Sequence, residues 1–278
     1  MRRFFRFDRL ITYRPLALFL AVLFLCLPLA SCSVTLEQTE QETEGDVPAF
    51  NEMENDGKGD TEPEPKRPRV ALTFDDGPQH YNDEETKSVV DELLKYGYSA
   101  TFFVVGNRVA GGDAVSYAVK NGMEIGIHGY THEVYYDTCT EETFFEEMNK
   151  TVTAIRREVP GYEPTLMRPV GGRISADIQA VCPYAIIMWS IDSDDWNYKY
   201  NSKDTEETAQ AKVNAIVENA LRGITDGSII LMHDIYQSTY DATVILLQRL
   251  NEMGYDVVTV SELLDGNAQA GQIYYENE

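Results

Sequence analysis

Between Val70 and Val260 the sequence repeats one pattern: a short apolar run, a stretch whose apolar residues recur with helical spacing, and then another short run. The runs Val70–Phe74, Ala100–Val105, Glu124–His128, Leu166–Val170, Ala185–Ile191, Ser228–Met232 and Asp256–Val260 are mostly too uniformly apolar to have one wet face. They predict parallel strands covered on both sides. Glu84–Lys95, Ala114–Asn121, Glu141–Glu158, Thr205–Leu221 and Ala242–Met253 predict the covering helices. In the last of these, Val244, Leu247 and Leu250 recur at i, i+3 and i+6, and Ile245 and Leu246 widen the stripe. Alternation of this kind over about 200 residues leaves an α/β barrel or an open doubly wound sheet, in one domain spanning residues 67–278 with no internal repeat.

The residues before this domain obey other rules. Residues 1–15 carry five arginines and one aspartate, and the apolar run Leu16–Ala30 follows directly. Its length of about 15 residues falls short of the roughly 20 that span a bilayer, which predicts a signal peptide over residues 1–31. Leu29-Ala30-Ser31-Cys32 resembles the bacterial lipobox, which implies cleavage before Cys32, lipidation of its thiol, and an exported protein held at the membrane of the cell envelope. Cys26, inside the apolar run, reads as one more small hydrophobe. Residues 32–66 are rich in Glu, Asp, Thr, Gly and Pro and cannot bury enough apolar area to order themselves. An extended tether and a plain solvated spacer both fit this composition. The whole chain has 23 Lys+Arg against 46 Asp+Glu, a formal net charge of −23. That is the wrong sign for nucleic acid as principal partner.

The unusual polar residues fall where the apolar runs end. Asp75 and Asp76 follow the first run, and His128 and His132 come at the third. Arg168 lies in the fourth, Asp192 to Trp196 follow the fifth, and His233-Asp234 follows the sixth. Carboxyl ends of parallel strands share one face, where ligands bind, so these residues converge. Of the adjacent carboxylates in Asp75-Asp76-Gly77-Pro78, one can bind a cation while the other faces a reacting water. Capping a helix or bonding backbone amides is an equally common use of such aspartates. His128 and His132 are four apart, so on one helical turn they would lie on the same side and share a metal. Two histidines and one aspartate leave coordination positions open for water and substrate. Gly129 stands where a zincin carries its glutamate, so that motif is excluded.

In sequence order, Thr73-Phe74-Asp75-Asp76-Gly77-Pro78, His128-Gly129-Tyr130-Thr131-His132, Arg168-Pro169-Val170-Gly171-Gly172, Asp192-Ser193-Asp194-Asp195-Trp196 and Leu231-Met232-His233 resemble the five motifs of the polysaccharide deacetylase family. This is the NodB-homology domain of carbohydrate esterase family 4, and the resemblance runs from Val70 to Leu264. It implies an α/β fold, a distorted (β/α) barrel of about seven parallel strands forming a single catalytic domain. It also implies a hydrolase that removes N-acetyl groups from a glycan. Peptidoglycan is the first expectation, given the envelope tether. Chito-oligosaccharides and xylan are the alternative substrates, and a glycan-binding module without catalysis is the alternative of another class.

The resemblance further implies that Asp76, His128 and His132 bind one divalent metal ion, zinc first, with cobalt, nickel or manganese as substitutes. Asp75 would be the general base, oriented and kept ionised by Arg168. An amine leaves poorly unless protonated, and His233 is the candidate acid. Asp195 or Asp192, with Asp195 preferred, would raise the basicity of His233. Trp196 and Leu231 would wall the groove, and the N–H of Gly171 would hold the oxyanion. The third motif departs from the commoner Arg-Pro-Pro-Tyr-Gly, because Val170-Gly171 stand where many relatives have Pro-Tyr. A tyrosine side chain is thereby missing from the groove, while the backbone donor remains. A monomer is expected. His80 reads as a solvated loop residue. Cys139 and Cys182 could pair in an oxidising envelope or remain thiols. Tyr130, Tyr135, Tyr136, Tyr198 and Tyr200 are candidates for stacking on sugar or for ordinary core and surface positions.

Overall fold

The computed structural model describes residues 66–79, 83–110 and 112–277. The expected signal peptide, Cys32, the acidic tether up to residue 65, and His80 all lie outside the described residues.

The strands are β1 (Arg69–Asp75), β2 (Thr101–Val104), β3 (Glu124–Ile127), β4 (Leu166–Met167), β5 (Ala185–Ile187), β6 (Ile191–Asp192), β7 (Ile229–His233), β8 (Asp256–Val258) and β9 (Ile273–Tyr274). The helices are α1 (Glu84–Leu94), α2 (Gly106–Val109), α3 (Ala114–Lys120), α4 (Glu141–Glu158), α5 (Ala176–Val181), α6 (Glu206–Leu221), α7 (Gln237–Glu252) and α8 (Val260–Leu263). The strand order is β6-β7-β1-β2-β3-β4-β5-β9, with β8 paired to the first residues of β1, and every pairing is parallel. β5 and β6 are separated only by Met188, Trp189 and Ser190, yet they lie at or beside opposite ends of that order. The sheet therefore has to curl until its ends approach, which makes it a distorted barrel. Among the described residues, no helix is long and apolar enough to cross a membrane.

Among the described residues the strand count is nine where about seven were expected, and the two extra strands have separate causes. The apolar run Ala185–Ile191 divides into β5 and β6. At the break, the carbonyls of Ile187 and Met188 accept hydrogen bonds from Nε and Nη2 of Arg168, at 3.0 and 2.8 Å, instead of continuing a ladder. The other addition, β9, is a two-residue strand beside β5, too short to show a period. Further boundaries move, among them that of the fourth run, whose strand ends at Met167. α7 begins at Gln237, five residues before the expected Ala242, through a turn whose Ser238 and Thr239 are buried polar residues. The last expected strand stops at Val258 because Thr259 caps α8, exchanging hydrogen bonds with Glu262 in a capping box.

Side-chain alternation along β1 organises the interior. Val70, Leu72 and Phe74 face the helices in one apolar cluster, together with Phe102, Leu246, Leu247 and Leu250. Ala71 packs on the other face with Phe103, Leu166, Ile187 and Ile229. Thr73 and Asp75 continue the Ala71 face toward the carboxyl end, so a barrel interior that begins apolar ends in a carboxylate. Cys139 and Cys182 are both free thiols, half-buried and buried respectively.

Gly126 in β3 makes room for Phe103, its neighbour in register on β2. A Cβ at Gly126 would lie 2.5 Å from two atoms of the Phe103 ring and 3.2 Å from the carbonyl oxygen of Leu166. The ring cannot swing away freely, because the Arg168 guanidinium lies 4.4 Å from its centroid. Gly126→Ala should therefore destabilise the domain by about 1–3 kcal/mol through overpacking, read as a drop of several degrees in Tm. An unchanged Tm would show that the barrel interior has slack here.

Candidate active site

Arg168 is fully buried, just past the end of β4. Its Nη1 donates to Asp75 Oδ1 at 2.8 Å and to Thr73 Oγ1 at 2.8 Å, while Nε and Nη2 are taken by the carbonyls of Ile187, the last residue of β5, and of Met188 after it. Phe103 and Trp189 flank the guanidinium, with ring centroids 4.4 and 5.6 Å away. A guanidinium presents its donors in a fixed planar fork, so partners on β1 and β5 together define the direction of the Asp75 carboxylate. One carboxylate oxygen is held by the arginine. The other, Oδ2, points toward the neighbouring imidazole, 3.7 Å from His128 Nε2.

His128 follows β3 directly, and its Nδ1 lies 2.9 Å from the carbonyl oxygen of Arg168. A carbonyl can only accept, so Nδ1 carries the proton and Nε2 presents a lone pair. Burial pushes the His128 pKa below its ordinary value against the pull of Asp75 and Asp76, which keeps the ring neutral. His132 reaches the same point by a loop. Gly129 has φ 77° and His132 has φ 65°, so the two histidines meet through left-handed turns and not on the helical turn that their spacing suggested.

Asp76 Oδ1 lies 2.8 Å from His132 Nε2 and 3.5 Å from His128 Nε2, and the three ligand atoms are all within 4.8 Å of one another. Asp76 Oδ1 is buried, and its approach to His132 lacks hydrogen-bond alignment. An anionic oxygen facing a bare imidazole nitrogen in a buried site is unfavourable unless a cation sits among them. These residues therefore fit a divalent ion with nitrogen and oxygen ligands.

The loop that carries the two histidines is fixed from behind by Glu147 of α4. Its Oε2 accepts from the backbone N–H groups of Tyr130 and Thr131 at 2.8 and 3.0 Å. Gly106 and Asn107 add backbone bonds to the carbonyls of Gly129 and Tyr130. Glu147 is a functional residue that the motifs did not reveal. Its signal was a glutamate inside the buried stripe Phe144, Met148, Thr151 and Ile155, where solvated acids do not belong.

His233 ends β7 beside Asp75, its register partner on β1. Asp195 binds it twice, accepting from the ring Nδ1 at 2.7 Å and from the backbone N–H at 2.7 Å, and Thr239 donates to the same carboxylate at 2.7 Å. Burial would lower the His233 pKa, but Asp195, with help from Asp75 and Asp76, raises it to about 9. Asp192, the other candidate for that partnership, accepts the N–H of Asp194 at 2.8 Å and lines the cleft instead. Asp234 turns away from the cleft. Its carboxyl fills the space where Gly77 would carry a side chain, bonds to Thr86 at 2.5 Å, and is pushed up to about 7 by burial.

Asp75, Asp76, His128, His132, Gly171, Asp192, Trp196, Leu231 and His233 all line one cleft of about 380 Å³, and Arg168 and Asp195 stand behind its wall. Sequence reasoning did not include Trp189, Lys199 and Tyr236, which also line it. Of the candidate tyrosines, Tyr135 lines this cleft and Tyr130 faces a separate cavity beside Lys150 and Arg157. Tyr136 is buried edge-on against Phe144, and Tyr198 and Tyr200 pack on the core. A buried carboxylate base, a candidate metal set and a protonated imidazole in one cleft are what hydrolysis of an acyl bond requires.

The polysaccharide deacetylase family model matches residues 62–184. The chain is 33% identical over 209 residues to the peptidoglycan-N-acetylglucosamine deacetylase PgdA of Listeria monocytogenes, with 75% of this chain and 41% of that protein covered. To the peptidoglycan-N-acetylmuramic acid deacetylase PdaC of Bacillus subtilis it is 34% identical over 201 residues, covering 72% and 39%. It therefore spans about two fifths of the length of these curated relatives. A solved structure of T48 deacetylase with substrate superposes with a TM-score of 0.65 at 33% identity, covering 75% of this chain and 96% of that one.

Two outcomes follow from the geometry. Glu147→Ala frees the histidine loop and should weaken zinc binding by on the order of tenfold or more, measured by competition with a chromophoric chelator, with helical circular dichroism unchanged. Equal affinity would show that the loop holds itself. The second outcome concerns pH. The His233 pKa of about 9 lies above its unfolded value of 6.5, so the Asp195–His233 pair contributes its full stability below pH 6.5 and loses it as pH rises through 9. In metal-free protein, Tm should fall across that window, and Asp195→Asn should flatten the fall.

Proposed function

The chain belongs to the polysaccharide deacetylase family, and on that premise we propose that it is a metal-dependent hydrolase that removes N-acetyl groups from peptidoglycan. The observation that carries this reading is the register of β1 and β7. It sets the base candidate Asp75 beside the acid candidate His233 at the rim of the Asp76, His128 and His132 cluster.

Asp76, His128 and His132 would hold the metal, with zinc proposed from the nitrogen-rich ligand set. When bound, such an ion polarises the acetamide carbonyl and lowers the pKa of water. Asp75 accepts the proton of the attacking water. Arg168 aims that carboxylate, and its hydrogen bonds to the carbonyls of Ile187 and Met188 hold the guanidinium in place. His233, protonated at neutral pH because Asp195 raises its pKa to about 9, delivers a proton to the departing amine. The backbone N–H of Gly171, at the cleft wall, is the proposed donor to the oxyanion. Trp196 and Leu231 bound the space for the sugar and its acetyl group.

The envelope assignment is part of the same proposal. The lipobox-like Leu29-Ala30-Ser31-Cys32 supports export and a lipid anchor on Cys32, and the acidic residues 32–66 support a tether from membrane to wall. The protein is proposed to act there as a monomer on N-acetylated glycan strands.

Acetate release from peptidoglycan, chito-oligosaccharides and acetylated xylan, after chelation and zinc add-back, tests the reading. Release from peptidoglycan should return with zinc and fall at least about a hundredfold in Asp75→Asn. Because that change also leaves Arg168 without its charged partner, His233→Ala serves as a second control that spares the arginine. His233→Ala should lose amide hydrolysis while keeping more activity on an acetyl ester, whose alkoxide needs less protonation than an amine. Flat acetate on every glycan from folded, zinc-loaded protein would refute deacetylation. Release from chito-oligosaccharide or xylan but not from peptidoglycan would move the substrate.

A further inference from the structure

Gly171 stands where many members of the family carry a tyrosine, yet the cleft wall at that point is aromatic all the same. A Cβ placed on Gly171 would lie 3.5 Å from Cε1 of Tyr135, so these two positions share one stretch of wall. Gly171 has φ 61°, a conformation in which a tyrosine would be strained, and the ring arrives instead from the loop that follows His132.

Tyr135 is held in place. The guanidinium of Arg173 lies 4.4 Å from its ring centroid, and Arg173 is fixed in turn by Nε and Nη2 contacts of 2.8 Å each to Asp137 Oδ2. The next residue, Tyr136, is buried, forms a parallel bridge with Ile174, and accepts the N–H of Ser175 at 3.1 Å. Two segments, residues 135–137 and 173–175, are thus laced together around an aromatic ring that remains 41% exposed. Exposure of this kind is rare here. Among the described residues, five large hydrophobic side chains are exposed, and two of them, Tyr135 and Trp196, line this one cleft. A pyranose ring offers an apolar C–H face edged by hydroxyls. Rigid aromatic rings suit it, because they cover area without losing much rotamer freedom on binding.

We infer that Tyr135 is a stacking platform for a pyranose ring of the substrate glycan, supplying the aromatic wall that Gly171 lacks and working with Trp196. The inference rests on the glycan reading above. Arg173 and Asp137 act through Tyr135 as positioning residues, and the hydroxyl of Tyr135 is dispensable.

The test uses the purified full-length chain and an N-acetylglucosamine tetramer. Calorimetry on chelated protein gives Kd without turnover, and acetate release after zinc add-back gives KM and kcat. Tyr135→Ala should raise Kd and KM about tenfold with kcat moved far less. Tyr135→Phe, which keeps the ring, should restore the affinity. Arg173→Gln, which keeps the ring but releases it, should weaken binding by a smaller factor and keeps the question open to measurement should Tyr135→Ala fold poorly. Wild-type affinity in Tyr135→Ala overturns the inference. So does a Tyr135→Phe variant as weak as the alanine, since the hydroxyl would then be the contact, and so does a wild-type chain that does not bind the tetramer. Wild-type binding without acetate release refutes deacetylation alone, and the Kd series then decides for or against stacking.

Discussion

A buried guanidinium holds this domain and its active site together. Arg168 has no exposed surface, and water cannot solvate its charge, so every donor must be answered from inside the barrel. The answers come from Thr73 and Asp75 on β1 and from the carbonyls of Ile187 and Met188 where β5 ends. Those carbonyls would otherwise extend a strand. Diverting them divides one apolar run into β5 and β6 and lets the curled sheet end beside its own beginning. The same ion pair that aims the Asp75 carboxylate therefore also shapes the barrel, and a change at either residue is felt in both.

The rest of the cleft is built by the same means, with each reactive side chain held by a buried partner that does not itself reach the cleft. His128 is fixed in one tautomer by a backbone carbonyl, His233 is held through two atoms by Asp195, and the loop joining His128 and His132 is held by Glu147. These supports come from different elements, so the reactive groups keep their relative positions only while the barrel is intact. The electrostatics are divided along the same line. Asp195 keeps His233 charged, burial keeps His128 neutral, and the Asp76 oxygen is left facing imidazole nitrogens in a way that only a cation satisfies.

The fold class and most of the polar lining of the cleft were legible in the chain. Uniformly apolar runs required strands buried on both faces, and polar residues collected at their carboxyl ends because that is the one face such a sheet leaves open. Strand order alone places Asp75, Asp76, His128, His132, Trp196 and His233 together. Where the reading went astray, it was over local geometry. A spacing of four between His128 and His132 fits a helical turn as well as a loop, and Gly129 and His132 in left-handed conformations make it a loop. Glu147 lay in a helix full of glutamates, and only its place on the buried stripe set it apart.

What the sequence determined by itself, then, was the set of polar residues that meet in the cleft and the end of the sheet where they gather, because strand periodicity and connection rules act over a few residues at a time. Which aspartate serves His233 could not be read that way. Asp192 and Asp195 are three residues apart, and the choice depends on the distance from each to β7 and on Thr239 arriving from α7. The same holds for the division of β5 from β6, which depends on donors carried by Arg168, and for Tyr135 standing in the wall beside Gly171, which depends on Arg173 and Asp137. Each of these is a contact between segments far apart in the chain or across a turn, and its energy exists only once the barrel has closed.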